Sequence, residues 1–222
     1  MYLSQLTLND RNPQVRRHLS NIHDLHRGIM LAFPDEQREQ ARADWNVLFR
    51  LEPDSNILLV QSAIAPDWGR LPNEYLIDRH SKSFTPEASQ FPIDRLFQFR
   101  LKANPSKRNK ETRKTMGLYF QPDQVVWLQN QGKRHGFSVE SIDTIPSPNL
   151  WGTKDKSKTV VDDPPAPLSK KDQHHIKVHT VLFQGILKIQ DPSLLVSAIQ
   201  QGIGRGKSYG CGLLSLSRIN RS

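Results

Sequence analysis

The chain has 222 residues, 31 Lys and Arg against 22 Asp and Glu, and a formal charge of +9. That surplus points to an anionic partner, and 36% hydrophobic residues suffice for a packed core, which argues against global disorder and fits one or two domains. No apolar run is long enough to span a membrane, and Met1 to Leu8 lacks the layout of a secretory signal, so a cytoplasmic protein with no membrane partner is expected. Cys211 is the single cysteine; it excludes an internal disulfide and a thiolate zinc cluster, and packing is its expected role.

Residues 1 to 8 read as a strand, and 14 to 33 as one helix, because Val15, Leu19, Ile22, Leu25, Ile29 and Phe33 recur at helical spacing before Pro34. Alternation over Trp45 to Leu51 predicts a second strand, and Ile57 to Ala63 a third after the turn-like Pro53 to Asn56. A short fourth strand is expected near His80 to Thr85. After a proline-bounded connection the outline restarts. Phe97 to Lys102 reads as a strand, Pro122 to about Gln131 as a helix, Phe137 to Ile145 as a strand, and Ile176 to Ile189 as a strand bent at Gly185. Asp191 is the expected N-cap of a last helix with Pro192 at its first position and Leu194, Leu195, Ala198 and Ile199 buried; Gly212 to Leu216 closes the pattern. The expected fold is α+β, two tandem ferredoxin-like domains (RRM-like, or RAMP) over 1–90 and 91–222. Residues 146 to 175, rich in Pro, Lys, Ser and Asp, read as a loop.

Positive charge gathers between Arg100 and Lys114, where Arg100, Lys102, Lys107, Arg108, Lys110, Arg113 and Lys114 face a single acid, Glu111. This is a candidate for binding a nucleic-acid backbone; a solvated basic loop is the alternative. A second group includes Lys158, His175 and Lys177, diluted by Asp155, Asp162, Asp163 and Asp172. Nothing matches the aromatic signature of sheet-type RNA readers, so recognition through shape and phosphates is expected over stacking. From Gly202 to Gly212 there are five glycines in eleven residues, with Arg205 and Lys207 among them. Either Gly202, Gly204 and their neighbours turn amides toward an anion, or the segment is a structural turn for the last strand. Gln201 stands where a nucleotide-binding loop needs its first glycine, and Lys207 where a dinucleotide fingerprint needs its last, so neither is present.

His23 and His26 are three apart on the first helix. An imidazole at the edge of an apolar stripe can move a proton near neutral pH, while a satisfied core histidine is the plain alternative. Apart from Asp24, which points elsewhere on a helix, no carboxylate joins them at ligand spacing, so neither a metal nor another cofactor is expected.

Several stretches together resemble the CasE-type CRISPR endoribonuclease family. They are Met1 to Ser4, Asp24-Leu25-His26-Arg27-Gly28 with Phe33-Pro34, Leu59 to Ser62, Phe99 to Pro105, Val181 to Leu187, and Gln200 through Lys207 on to Leu216. They run in the family's order along nearly the whole chain. The resemblance implies two ferredoxin-like domains that bind the stem-loop of the CRISPR repeat RNA and work with the other subunits of the type I-E Cascade complex. It also implies one metal-independent cut at the 3′ base of the stem, made by the neighbouring 2′-hydroxyl and leaving a 2′,3′-cyclic phosphate and a 5′-hydroxyl. The family's catalytic histidine falls on His26, its glycine-rich loop on Gly202 to Gly212, and its RNA-gripping hairpin on about 173 to 184. His23 stands where familiar relatives carry tyrosine, which leaves its part open between a second acid/base group and an RNA contact. Arg27, Arg100, Lys102 and the other cations named above are the expected RNA contacts. The alternative function is a non-catalytic RNA-binding subunit; a metal-dependent nuclease is disfavoured for want of an acidic cluster.

Overall fold

The computed structural model describes residues 1–35, 44–155 and 173–219. Two four-stranded antiparallel sheets follow one another along the chain. In the first, β1 (Tyr2–Leu8) lies between β3 (Ile57–Ser62) and β4 (Leu76–Ser83), with β2 (Leu48–Leu51) outside β3. The second repeats that order, with β5 (Leu96–Ala103) between β9 (Gln173–Ile189) and β10 (Leu214–Arg218), and β8 (Phe137–Asp155) outside β9. This is the ferredoxin-like arrangement, used twice.

The stretch expected as one helix from 14 to 33 is two: α1 (Pro13–Ser20) and α2 (Ile22–Met30). Asn21 divides them with extended backbone angles, φ −133° and ψ 103°, and its side-chain oxygen accepts from the His23 amide at 3.1 Å. A short polar side chain that caps a new helix competes with continuing the old one, which a count of apolar residues alone does not register. The apolar spacing then runs on to Phe33 through a tight turn in which Leu31, Ala32 and Phe33 donate to Gly28, Ile29 and Met30. Leu25, Ile29 and Phe33 are buried with Leu6, Leu8, Phe49, Leu58 and Val60 in the first core.

Further departures have local causes. The second strand begins at Leu48 because Asn46 adopts φ 45°, turning the chain after Trp45, whose ring stacks on Phe33 at 5.9 Å. The fourth strand begins at Leu76, earlier than expected, and pairs along all of β1. Between β3 and β4 there is only a 3₁₀ turn, Trp68–Arg70, where a complete ferredoxin-like unit has its second helix. The second half keeps both helices, α3 (Gln121–Arg134) and α4 (Pro192–Gln201), over a core that includes Phe99, Leu101, Leu128, Phe183 and Leu195. Asp191 caps α4 as expected, accepting from Ser193 and Leu194 amides at 2.9 and 3.0 Å. Leu194 does not join the core: it is 44% exposed, because α4 turns only its Leu195, Ala198 and Ile199 stripe inward.

The largest departure is at the segment read as a loop. Residues 146 to 155 continue β8, paired with β9 out to Asp155 and Gln173, so this part of the expected loop is a strand arm. Lys158 lies outside the described residues, as does the side chain of His175, whose backbone pairs with Thr153. Near the sheet, the bend expected at Gly185 is explained by the partner strand: a side chain there would begin 2.1 Å from the Ser141 carbonyl oxygen, beside a bulge at Glu140.

One buried cation holds the two units together. Arg50, 2% exposed, donates to Glu52 at 2.8 Å, to the Arg100 and Leu213 carbonyls at 3.2 and 3.1 Å, and to Ser215 Oγ at 3.0 Å. Gln61 adds a bond to the Ile199 carbonyl at 2.6 Å.

Candidate active site

Helix α2 carries His23 and His26 on neighbouring turns, and both line a cleft of about 370 Å³ with Arg27, Met30, Trp45 and Arg70. The missing second helix of this unit is replaced here by the 3₁₀ turn, from which Arg70 donates to the Phe33 carbonyl at 2.6 Å. His26 is half-buried, its ring meeting Phe49 edge-on at 6.1 Å and 78°. Arg27 reaches into solvent, 61% exposed and 3.8 Å from Asp24, whose other oxygen accepts from Asn21 at 3.0 Å. A half-buried imidazole beside an exposed guanidinium suits proton transfer at an anionic centre. Among the described residues, no three of His, Cys, Asp and Glu gather as a metal-holding group.

Phe49 links this cleft to the glycine-rich segment. A side chain on Gly210 would begin 3.1 Å from the Phe49 ring, and one on Gly202 2.8 Å from Leu48; both glycines have φ near 75°. A short 3₁₀ turn, Lys207–Tyr209, sits between them and packs against α2 and β2. Several of the segment's amides bond within it, Ile203 to Gly212, Tyr209 and Cys211 to Gly206 and Gly210 to Lys207, while Gly202 donates to Ala198 and Gly212 to Lys102. The segment therefore builds a turn, and it presents Gly204, exposed Arg205 and half-buried Lys207 at its surface. Arg205 is bonded to Thr115 Oγ1, and its backbone bridges to Asn104. Burial pulls Lys207 below the ordinary lysine range and does the same to Lys102. Burial pushes the Cys211 thiol up to about 12, which leaves it an inert packing group.

The basic stretch divides in the structure. Arg100 belongs to the seam between the units, where its guanidinium bonds Glu52 at 2.9 Å and Gln184 at 3.1 Å. Lys102 instead lines a cleft of about 210 Å³ with Ser20, Phe49, Trp151 and Tyr209. The remaining five cations sit on a separate hairpin of β6 (Ser106–Arg108) and β7 (Thr115–Gly117), with Lys107 and Arg108 on its first strand and Lys110, Arg113 and Lys114 in its turn. All five are exposed. The turn is held by Asn109 Oδ1, which accepts from the Glu111 and Thr112 amides at 2.8 and 2.9 Å, and by Arg108 donating to the Arg113 carbonyl at 3.0 Å.

The β8–β9 arm brings the second unit to the histidine helix. Gly152 lies against the start of α2, where a side chain would begin 3.0 Å from Asn21 Oδ1 and 3.4 Å from the His23 amide nitrogen. Lys177, on the paired strand, places its Nζ 4.8 Å above the ring of Trp151. Further along the arm His179 Nδ1 donates to Asn149 Oδ1 at 3.1 Å, and its ring stands 4.6 Å from that of Tyr119. Burial lowers the His179 pKa, which favours the neutral ring. The sequence reading does not single out Trp151 and Tyr119. The one available signal was a tryptophan inside an otherwise polar run.

The structure is a pair of tandem ferredoxin-like units, with a histidine helix on the first and basic hairpins on the second. The family model described as CRISPR associated protein matches residues 1–218, and the chain belongs to that family. Within it, the chain is 31% identical to the CRISPR-associated endoribonuclease Cse3 of Thermus thermophilus, the match covering 98% of this chain and 100% of the relative. It is 29% identical to the CRISPR system Cascade subunit CasE of Escherichia coli, over 99% of this chain and 100% of the relative. A solved structure of the CRISPR endoribonuclease Cse3 bound to a 19-nucleotide RNA superposes with a TM-score of 0.81 at 28% identity, covering 98% of this chain and all of that one.

Proposed function

We propose that this protein is a metal-independent endoribonuclease that cuts CRISPR precursor RNA at the 3′ base of the repeat stem-loop. The products are a 2′,3′-cyclic phosphate and a 5′-hydroxyl, and the enzyme stays on the mature RNA as a cytoplasmic subunit of the Cascade complex. The observation that carries this reading is His26, half-buried at the edge of an open cleft with exposed Arg27 beside it, in a chain akin over its whole length to named CRISPR endoribonucleases. Residues 1–90 form the domain that cuts and 91–222 the domain that holds.

In the reaction the 2′-hydroxyl loses its proton and its oxygen bonds to phosphorus, while the bond to the 5′-oxygen breaks and that oxygen gains a proton. Placing the nucleophile in the substrate itself gives the advantage of proximity, so the protein needs one proton-transfer group at each end and cations for the developing charge. His26 takes one proton-transfer role. His23, on the preceding turn of the same cleft, serves the other or contacts the RNA. Arg27 steadies the phosphate. Lys107, Arg108, Lys110, Arg113 and Lys114, with Arg205, Lys207 and Lys102, track the backbone of the stem, and Lys177 contacts the RNA from the β8–β9 arm. The test is incubation of the purified protein in EDTA with its own labelled repeat RNA, beside His26→Ala. A single cut ending in a cyclic phosphate, absent in the variant while binding persists, supports the reading. Tight binding without any cut turns it into a non-catalytic subunit, and cutting only on addition of Mg²⁺ overturns the mechanism.

A further inference from the structure

Of the four tryptophans in the chain, Trp45, Trp68 and Trp127 are buried, whereas Trp151 is 56% exposed at the outer end of the β8–β9 arm. A large aromatic ring left in water on a strand gains little for stability, so its placement asks for another explanation. Three features of the surroundings supply one. Lys177 Nζ lies over one face of the ring at 4.8 Å, so a cation and a π-surface are presented together. The residue that follows, Gly152, lies against the His23 amide at the first turn of α2, which puts the pair at the end of the helix that carries His26. On the same strand, two residues beyond Lys177, the His179 ring and exposed Tyr119 continue the outer face as aromatic surface.

We propose that Trp151 and Lys177 form a stacking platform for one unpaired base of the RNA strand entering the His26 cleft. The open face of the indole takes the base and the Lys177 ammonium the adjoining phosphate. Any base has a π-face, so the platform positions the strand with little dependence on sequence; the cation beside the ring adds charge where the backbone passes. The platform complements the phosphate contacts of the β6–β7 hairpin, because stacking sets how far the strand advances toward the histidines and phosphate contacts alone do not. Trp151 is thus a substrate-binding residue that sets register at the cut.

The proposal rests on the endoribonuclease reading, and the experiment separates the two. The full-length protein is titrated with its repeat RNA while tryptophan emission, affinity and the single-turnover rate at saturating enzyme are followed, for wild type, Trp151→Phe, Trp151→Ala and Lys177→Gln. Because Trp68 and Trp127 are buried and Trp45 shows only an edge to the cleft, RNA should quench wild-type emission, and Trp151→Phe should remove most of that quenching while keeping affinity within about threefold, since a smaller ring still stacks. Trp151→Ala should weaken binding roughly tenfold. An abasic scan through the nucleotides flanking the cut supplies the decisive arm. At one position, loss of the base should weaken wild type about as much as Trp151→Ala does, and should add nothing in that variant. If Trp151→Ala binds and cuts like wild type, or if every abasic effect multiplies with it, the platform is overturned while the enzyme reading stands. If wild type neither binds nor cuts its repeat, both fall.

Discussion

The two units share one strand order and differ in what is added to it. The first lacks its second helix, and the space beside the replacement 3₁₀ turn is the cleft that His23 and His26 line. The second keeps both helices and grows two hairpins, one bearing five exposed cations and the other long enough to reach α2. Subtraction opens a cleft, and addition supplies reach and charge. A duplicated fold can take on two roles in this way because neither change disturbs the core beneath it, and in the proposed function those roles are cutting and holding.

That division predicts separable losses. The largest is in chemistry: His26→Ala should slow the single-turnover rate by about 10²- to 10⁴-fold while leaving the RNA dissociation constant within about twofold. A variant that loses affinity in step with rate would erase the distinction. Next comes the seam, where a buried cation of the first unit is bonded to the second. Arg50→Ala leaves Glu52 with Arg100 alone and the Arg100 and Leu213 carbonyls without their donor, and should lower stability by about 3–5 kcal/mol in urea unfolding, with binding and cutting lost together on warming. An unchanged midpoint would show that the units do not rely on this clamp.

Changing Lys107, Arg108, Lys110, Arg113 and Lys114 together to Gln tests the holding side. The slope of log affinity against log salt should fall by about 0.7–0.9 for each phosphate contact removed, with the saturating rate unaltered. A slope that stays put would mark this hairpin as merely solvated. A smaller effect concerns pH. Burial holds His18 below its ordinary pKa of 6.5 despite the opposing pull of Asp24, and its Nδ1 is bonded to Tyr75 at 2.8 Å. The unfolded chain therefore binds the extra proton more readily, so stability is full above about 6.5 and falls as pH drops through and below that value. His18→Gln should make the melting temperature less sensitive to acid in that window, and equal slopes for the two proteins would exclude His18 as a source. Smallest of all, Leu194→Ser should shift stability by less than about 0.5 kcal/mol, against about 2–5 kcal/mol for Leu195→Ala next to it.

How much of this was legible beforehand depended on distance along the chain. His23, His26 and Arg27 are neighbours on one helix, so spacing alone put them together even though Asn21 shortened that helix. Likewise, the cap at Asp191 involves groups within three residues, and it stood where expected. Arg100 shows the opposite case: it is one cation among many in the sequence, yet its guanidinium is committed to Glu52 and Gln184, far away in the chain. Nor did local composition distinguish a loop from the outer half of the β8–β9 arm, because an arm in water has the polar make-up of a loop.

Two repeats of strand and helix, the helical histidines, the concentrated positive charge and the turn-forming glycines were thus determined by the sequence itself, since each rests on backbone preference or on spacing within a few residues. Tertiary structure alone decided that Arg50 is the clamp between units, that Phe49 stands between His26 and Gly210, and that Trp151 reaches the start of α2. The physical reason is that burial, ion pairing and ring contact are made between residues 23 to 165 positions apart, and such pairings exist only once the sheets have formed and met.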